Sequence, residues 1–89
     1  MGNIVITKSD GSSLIVKGAF TFQASIDMKT NVIDISGVMT IDGDYIDDAI
    51  KISNDRYEIE GVRIYSETYG SDTNEITYSF KATDYSINL

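Results

Sequence analysis

The side chains in this chain that could do chemistry are fourteen carboxylates and six tyrosines; there is no His and no Cys. Without imidazole or thiol, the commonest general base, the thiolate nucleophile and the softer metal ligands are missing. The densest polar cluster is Asp42-Gly43-Asp44-Tyr45-Ile46-Asp47-Asp48. Its four carboxylates are hard oxygen donors of the kind Ca²⁺ takes. The spacing departs from the EF-hand loop, which alternates its ligands and closes with a bidentate Glu. The run reads instead as a turn leading into the acidic start of a helix, and no metal or other cofactor is expected. Pairs of acids can perform glycosidase-type acid–base work, but a chain of 89 residues has little room for a sugar-binding cleft. Neither a Gly-x-Ser-x-Gly elbow nor a Gly-rich phosphate loop occurs. The chain is therefore read as non-enzymatic.

The tyrosines and the acids suggest binding. Tyr45, Tyr57, Tyr65, Tyr69, Tyr78 and Tyr85 all lie in the second half. Tyr65 and Tyr69 are out of phase with Val62, Ile64 and Ile76, which directs them outward near a hairpin tip. Tyr is favoured at interfaces because it joins a large apolar body to a polar end, although strands favour it on their own account. Between residues 41 and 60 there are seven carboxylates against Lys51 and Arg56, which is −5 of the total charge of −7. The seven basic residues are scattered along the chain, so direct nucleic-acid binding is not expected. The acidic stretch is either a solvated face that aids solubility or a surface aimed at a basic partner. In the second case Asp47, Asp48, Glu58 and Glu60 would carry the contact.

The elements that must position these groups are strands. Leu14, Val16, Gly18, Phe20, Phe22, Ala24, Ile26 and Met28 share one phase, and Ser13, Lys17, Thr21, Gln23, Ser25 and Asp27 the other. Such alternation describes a half-buried antiparallel strand, bent at Gly18. Asn3 to Thr7 forms a strand before it, and Asp10-Gly11 suits a two-residue type I′ turn that sets Thr7 opposite Leu14 and Val5 opposite Val16. A turn at Lys29-Thr30-Asn31-Val32 pairs Met28 with Ile33, Ala24 with Gly37, Phe22 with Met39 and Phe20 with Ile41. Residues 44–52 change period: Tyr45, Ile46, Ala49 and Ile50 fit helical spacing behind an Asp44 cap. A β-branched run through Ile50-Lys51-Ile52 is the competing reading. The last hairpin joins residues 57–68 to 74–82, with a bulge at Glu60-Gly61, and pairs Ile64 with Ile76, Val62 with Tyr78 and Ile59 with Phe80. A further shift near Thr83-Asp84 keeps Tyr85, Ile87 and Leu89 in phase to the end.

The expected architecture is one mainly β domain over residues 1–89. It is a small antiparallel sandwich or barrel, or a curled sheet, of six to seven strands with one short helix at about 44–52. The N-terminal strand Ile4-Val5-Ile6 has no charge to protect it, so it is expected to be an edge covered by the fold, by self-association or by a partner strand. No basic segment followed by an apolar core opens the chain, and no apolar run nears ~20 residues. A cytoplasmic location with no membrane contact is expected. The functional expectation is a non-catalytic protein-interaction module, an assembly subunit or adaptor, acting through an edge strand and the Tyr65/Tyr69 tip and open to homo-oligomerisation. The alternative is an acidic inhibitor that fills a basic, nucleic-acid-binding groove of another protein by mimicking phosphates.

Overall fold

A computed structural model describes residues 2–43 and 45–88; Asp44, the expected helix cap, and Leu89, the expected docked terminus, lie outside them. Eight strands form: β1 (Asn3–Thr7), β2 (Ser13–Ile26), β3 (Ile33–Asp42), β4 (Lys51–Ser53), β5 (Tyr57–Glu60), β6 (Arg63–Tyr69), β7 (Glu75–Ala82) and β8 (Asp84–Ile87). They make one open antiparallel sheet of order β6-β7-β3-β2-β1-β4-β5-β8. The all-β antiparallel class is as the alternation indicates, with one strand more than expected and no helix among the described residues.

The sheet curls over on itself. In a flat sheet β2 and β5 would stand three strand spacings apart, about 14 Å. The Phe22 ring of β2 nevertheless lies edge-on to Tyr57 of β5, with centroids 5.0 Å apart, and 5.3 Å from Tyr85 of β8. Two wings therefore face each other. The first is β6, β7, β3 and the end of β2; the second is the start of β2 with β1, β4, β5 and β8. Period-two side chains from both wings fill the space between. Ile4, Ile6, Ile35, Met39, Ile41, Ile52, Ile59, Tyr78 and Phe80 are fully buried. The Phe80 ring occupies the space left by the missing side chain of Gly37, where a Cβ would come within 2.6 Å of it.

Helical spacing at residues 44–52 proves misleading. Ile46 and Ala49 do point into the core, but the backbone groups of the segment bond to residues remote in sequence. The Ile46 N–H donates to the Tyr78 hydroxyl at 2.8 Å. The Ile50 N–H donates to the Thr7 carbonyl, and the Ile50 carbonyl accepts from Val62, both at 2.9 Å. Residues 51–53 pair on both sides as β4, with β1 and with β5, so the β-branched reading of Ile50-Lys51-Ile52 is the correct one. The same pairing decides among the three expected covers of the N-terminal strand: the fold itself provides it. β1 lies between β2 and β4, and Ile4 and Ile6 are fully covered.

Turn chemistry shifts the expected registers. A type I′ turn needs positive φ at both central residues, but of Asp10 and Gly11 only Gly11, at +89°, has it. Gly11 N–H bonds back to Lys8, and Lys8 N–H to Ser12. This three-residue connection places Thr7 opposite Ser13 and Val5 opposite Ile15, one residue from the expected pairing. In the next turn the Asp27 carboxylate accepts from the Lys29 and Thr30 amides at 2.8 and 3.3 Å, and Asn31 adopts φ +59°. That Asx turn draws Met28 into the loop. Ile26 faces Ile33, Ala24 faces Ile35 and Phe22 faces Gly37: two residues off in register, with the inward phase retained.

The C-terminal half is one long ribbon folded around a corner. β5 pairs with β8, ending at Glu60↔Asp84, and β6 pairs with β7, beginning at Arg63↔Lys81. Two residues separate the two rungs on each arm, Gly61-Val62 and Ala82-Thr83, so a single register runs through the bend. At the corner Gly61 has φ +65°, and a Cβ there would strike the Thr83 hydroxyl. Thr83 N–H closes the crossing on the Glu60 carbonyl at 3.1 Å. The expected bulge at Glu60-Gly61 is thus a corner between wings. Four strands replace the single expected hairpin, and Ile64 meets Phe80 instead of Ile76.

Candidate interaction surface

β6 is one free edge of the sheet, and its bulge decides what that edge displays. The ladder pairs Ile64 with Phe80 and then Ser66 with Ser79, leaving Tyr65 as the extra residue. A one-residue bulge inverts the alternation beyond it. Glu67 therefore stands opposite Tyr78 and Tyr69 opposite Ile76, both on the core-facing side. This corrects the expectation that Tyr69 shares the outward phase. It is still well exposed, because the core does not extend beneath the edge strand there.

Against this edge comes the segment that follows β3. Tyr78, fully buried, holds the Ile46 amide through its hydroxyl. That anchor sets Tyr45 and Asp47 on either side of Ile46, next to β6. The result is an open cleft of about 320 Å³ lined by Tyr45, Asp47, Ile64, Tyr65, Ser66 and Glu67, with Ile46 among its walls. Tyr45, Tyr65 and Tyr69 are 58%, 61% and 57% exposed, so their rings are available to a ligand.

The electrostatics of the cleft are acidic. Desolvation, then the Glu67 carboxylate, pushes the Tyr69 phenol above its usual value, and Tyr45 adds to the effect. Desolvation also raises Tyr78, opposed by the hydrogen bond from Ile46 and reinforced by Glu67, Tyr45 and Asp47. Among the described residues no basic side chain lines the cleft. A cation close by is Lys8, whose Nζ reaches an Asp47 oxygen at 4.0 Å. Tyr65 also borders a second, larger depression of about 390 Å³ on the outer face of the sheet, which Thr21, Gln23, Ser36, Val38 and Ser79 help to line without any carboxylate or amine.

The six residues singled out from the sequence do not converge as a set. Tyr65 and Asp47 share the cleft, and Tyr69 adjoins it through Glu67. Asp48 instead accepts from the Ser9 amide and hydroxyl, tying its segment to the β1–β2 loop. Glu58 pairs with Lys51 at 3.0 Å. It and Glu60 flank the buried Ile59, so both point outward from the opposite wing. Sequence reasoning missed Tyr45, absorbed into the helix, and Glu67. The one cue to Glu67 was the adjacent large pair Ile64-Tyr65, which cannot fit a strict alternation. Among the described residues no three acidic groups converge on a metal site.

A second exposed feature lies at the far end. β7 leaves β3 at Ala82, opposite Ile35, and the β2–β3 hairpin continues beyond it. Ile26, Met28 and Val32 on this overhang are 56%, 88% and 60% exposed. No helix among the described residues is long and apolar enough to cross a membrane. No protein-family model, curated protein or solved structure matches this chain.

Proposed function

We propose that this chain is a non-catalytic protein-interaction module that receives an extended partner segment along β6, beside the tyrosine cleft. The observation that carries the reading is the coincidence of a free sheet edge with three exposed tyrosines, Tyr45, Tyr65 and Tyr69, at one place. An edge strand supplies unpaired backbone donors and acceptors, and neighbouring pockets supply selectivity for side chains. The bulge at Tyr65 blunts the first part of the edge and leaves Ser66 to Tyr69 regular, a short track that limits indiscriminate pairing.

The test is selection of binding peptides from a random displayed library against the folded chain, with the site mapped by amide chemical shifts. Shifts centred on residues 63–69 are expected. Tyr65→Ser with Tyr69→Ser should weaken binding about tenfold or more while the melting temperature holds. Binders indifferent to those changes but lost when Asp47, Asp48, Glu58 and Glu60 are neutralised would replace this reading with the acidic mimic. Binders indifferent to both sets would end both readings.

A further inference from the structure

We propose that the cleft between Tyr45 and Tyr65 is a binding site for a guanidinium group, the arginine side chain of the partner segment; as an assignment of partner chemistry this rests on the reading of β6 as the docking edge. The cleft joins two features that a guanidinium uses together. Its walls include exposed tyrosine rings, whose faces attract a cation and stack on a planar one. Its lining includes two acidic residues on different elements, Asp47 from the segment after β3 and Glu67 from β6. A fork of five N–H donors can engage carboxylates in a fixed plane while its π-face lies on a ring; an ammonium offers no such plane.

The surroundings favour a cation over an anion or a neutral group. Among the described residues no Lys or Arg lines the cleft, and the chain carries a net charge of −7, which draws cations in from a distance. The Lys8–Asp47 contact is long, at 4.0 Å, and its Asp47 end is exposed, so displacing it costs little. Aromatic walls and paired carboxylates are also a setting that binds sugars. A sugar, however, would draw its hydrogen bonds from groups indifferent to charge, and this difference is what the experiment reads.

The probe is N-acetyl-arginine amide, titrated into the full chain at low salt and followed by amide and tyrosine-ring chemical shifts. N-acetyl-citrulline amide, nearly the same shape without the charge, is the control. A saturable response with Kd on the order of 1–10 mM is expected, as befits a few exposed cation–π and ion-pair contacts. It should be confined to residues 45–47 and 64–69, and citrulline should give none. Glu67→Gln and Tyr65→Leu should each weaken it several-fold, while Glu58→Gln, on the other wing, should leave it unchanged. Each variant is first checked for an unaltered melt. Equal responses to arginine and citrulline, or equal losses from Glu58→Gln and Glu67→Gln, would overturn the assignment. Arginine binding in the cleft together with failure of displayed peptides to shift β6 would keep the guanidinium site and remove the docking edge. The reverse result would remove the guanidinium site alone.

Discussion

Replacing Tyr78 by Phe isolates one hydrogen bond on which both the core and the cleft depend. The Tyr78 side chain is fully buried, and its hydroxyl accepts from the Ile46 amide at 2.8 Å. Ile46 is itself 3% exposed, so in the Tyr78→Phe variant its N–H has no water to turn to. Leaving a buried donor unmade costs about 1–3 kcal/mol. The ring is kept, so the cavity contribution is small. For a domain of this size about 2 kcal/mol corresponds to a fall of roughly 8–16 °C in Tm. Urea and thermal melts followed by circular dichroism measure it, and amide exchange at Ile46 should accelerate in the variant. Alkaline pH provides an independent check. Burial holds the Tyr78 phenol above its usual value, so the folded state retains a proton that the unfolded chain releases. That stability is present below the unfolded value, about 10, and is lost as pH climbs through the higher folded one. The variant has no such proton. The advantage of wild type over Tyr78→Phe should therefore be flat below about pH 9 and shrink above pH ~10. Indistinguishable melts, or a gap that widens with pH, would refute the bond as the anchor of Tyr45 and Asp47.

Phe80→Ala should cost about 3–5 kcal/mol, the half-buried Phe22→Ala roughly half that, and the outward Gln23→Ala less than ~0.5. Urea denaturation ranks them, and equal losses for Phe22 and Phe80 would contradict the packing of Phe80 over Gly37. Gly61→Ala should destabilise by ~2 kcal/mol or more, since a positive φ alone costs an L-residue about 1–2 and the Thr83 side chain blocks the new methyl. The Gly61→Ala, Thr83→Ala double variant should lose less than the sum of the two single changes, and simple additivity would show that the two residues do not meet.

The sequence discloses the fold class because period-two alternation is a property of side chains alone. The inward phase of β2 and β3 survives even where the register does not. Register depends on backbone conformation in a few turn residues. Asp10-Gly11 resembles a two-residue turn, yet only Gly11 takes positive φ, and the Asp27 carboxylate captures the Lys29 and Thr30 amides in an Asx turn that lengthens the loop. The segment 44–52 misleads for a related reason. Ile46 and Ala49 satisfy helical spacing, but Tyr78 and Thr7, remote in sequence, claim its backbone groups. The candidate site is half legible. Tyr65, Tyr69 and Asp47 are identifiable from type and position. Tyr45 and Glu67 reach the same place only through the absence of a helix and through a bulge that reverses the face of β6. Asp48, Glu58 and Glu60 stand elsewhere, because proximity in an acidic run says nothing about which wing a strand joins.

The single register that passes through the corner at Gly61 and Thr83 restricts where the chain can change length. One residue added to either arm between the wings would slip β5 against β8, turn Ile59 from the core to water and carry Tyr57 off Phe22. Only matched additions to both arms, and in twos, would preserve both the pairing and the inward face. The exposed loop at residues 70–74 is under no such restriction, since doubling a flexible loop costs only ~0.6 kcal/mol. Insertions are accommodated at the ribbon's tip, where they lie close to the β6 edge and its tyrosines, while the corner behaves as a fixed count of residues.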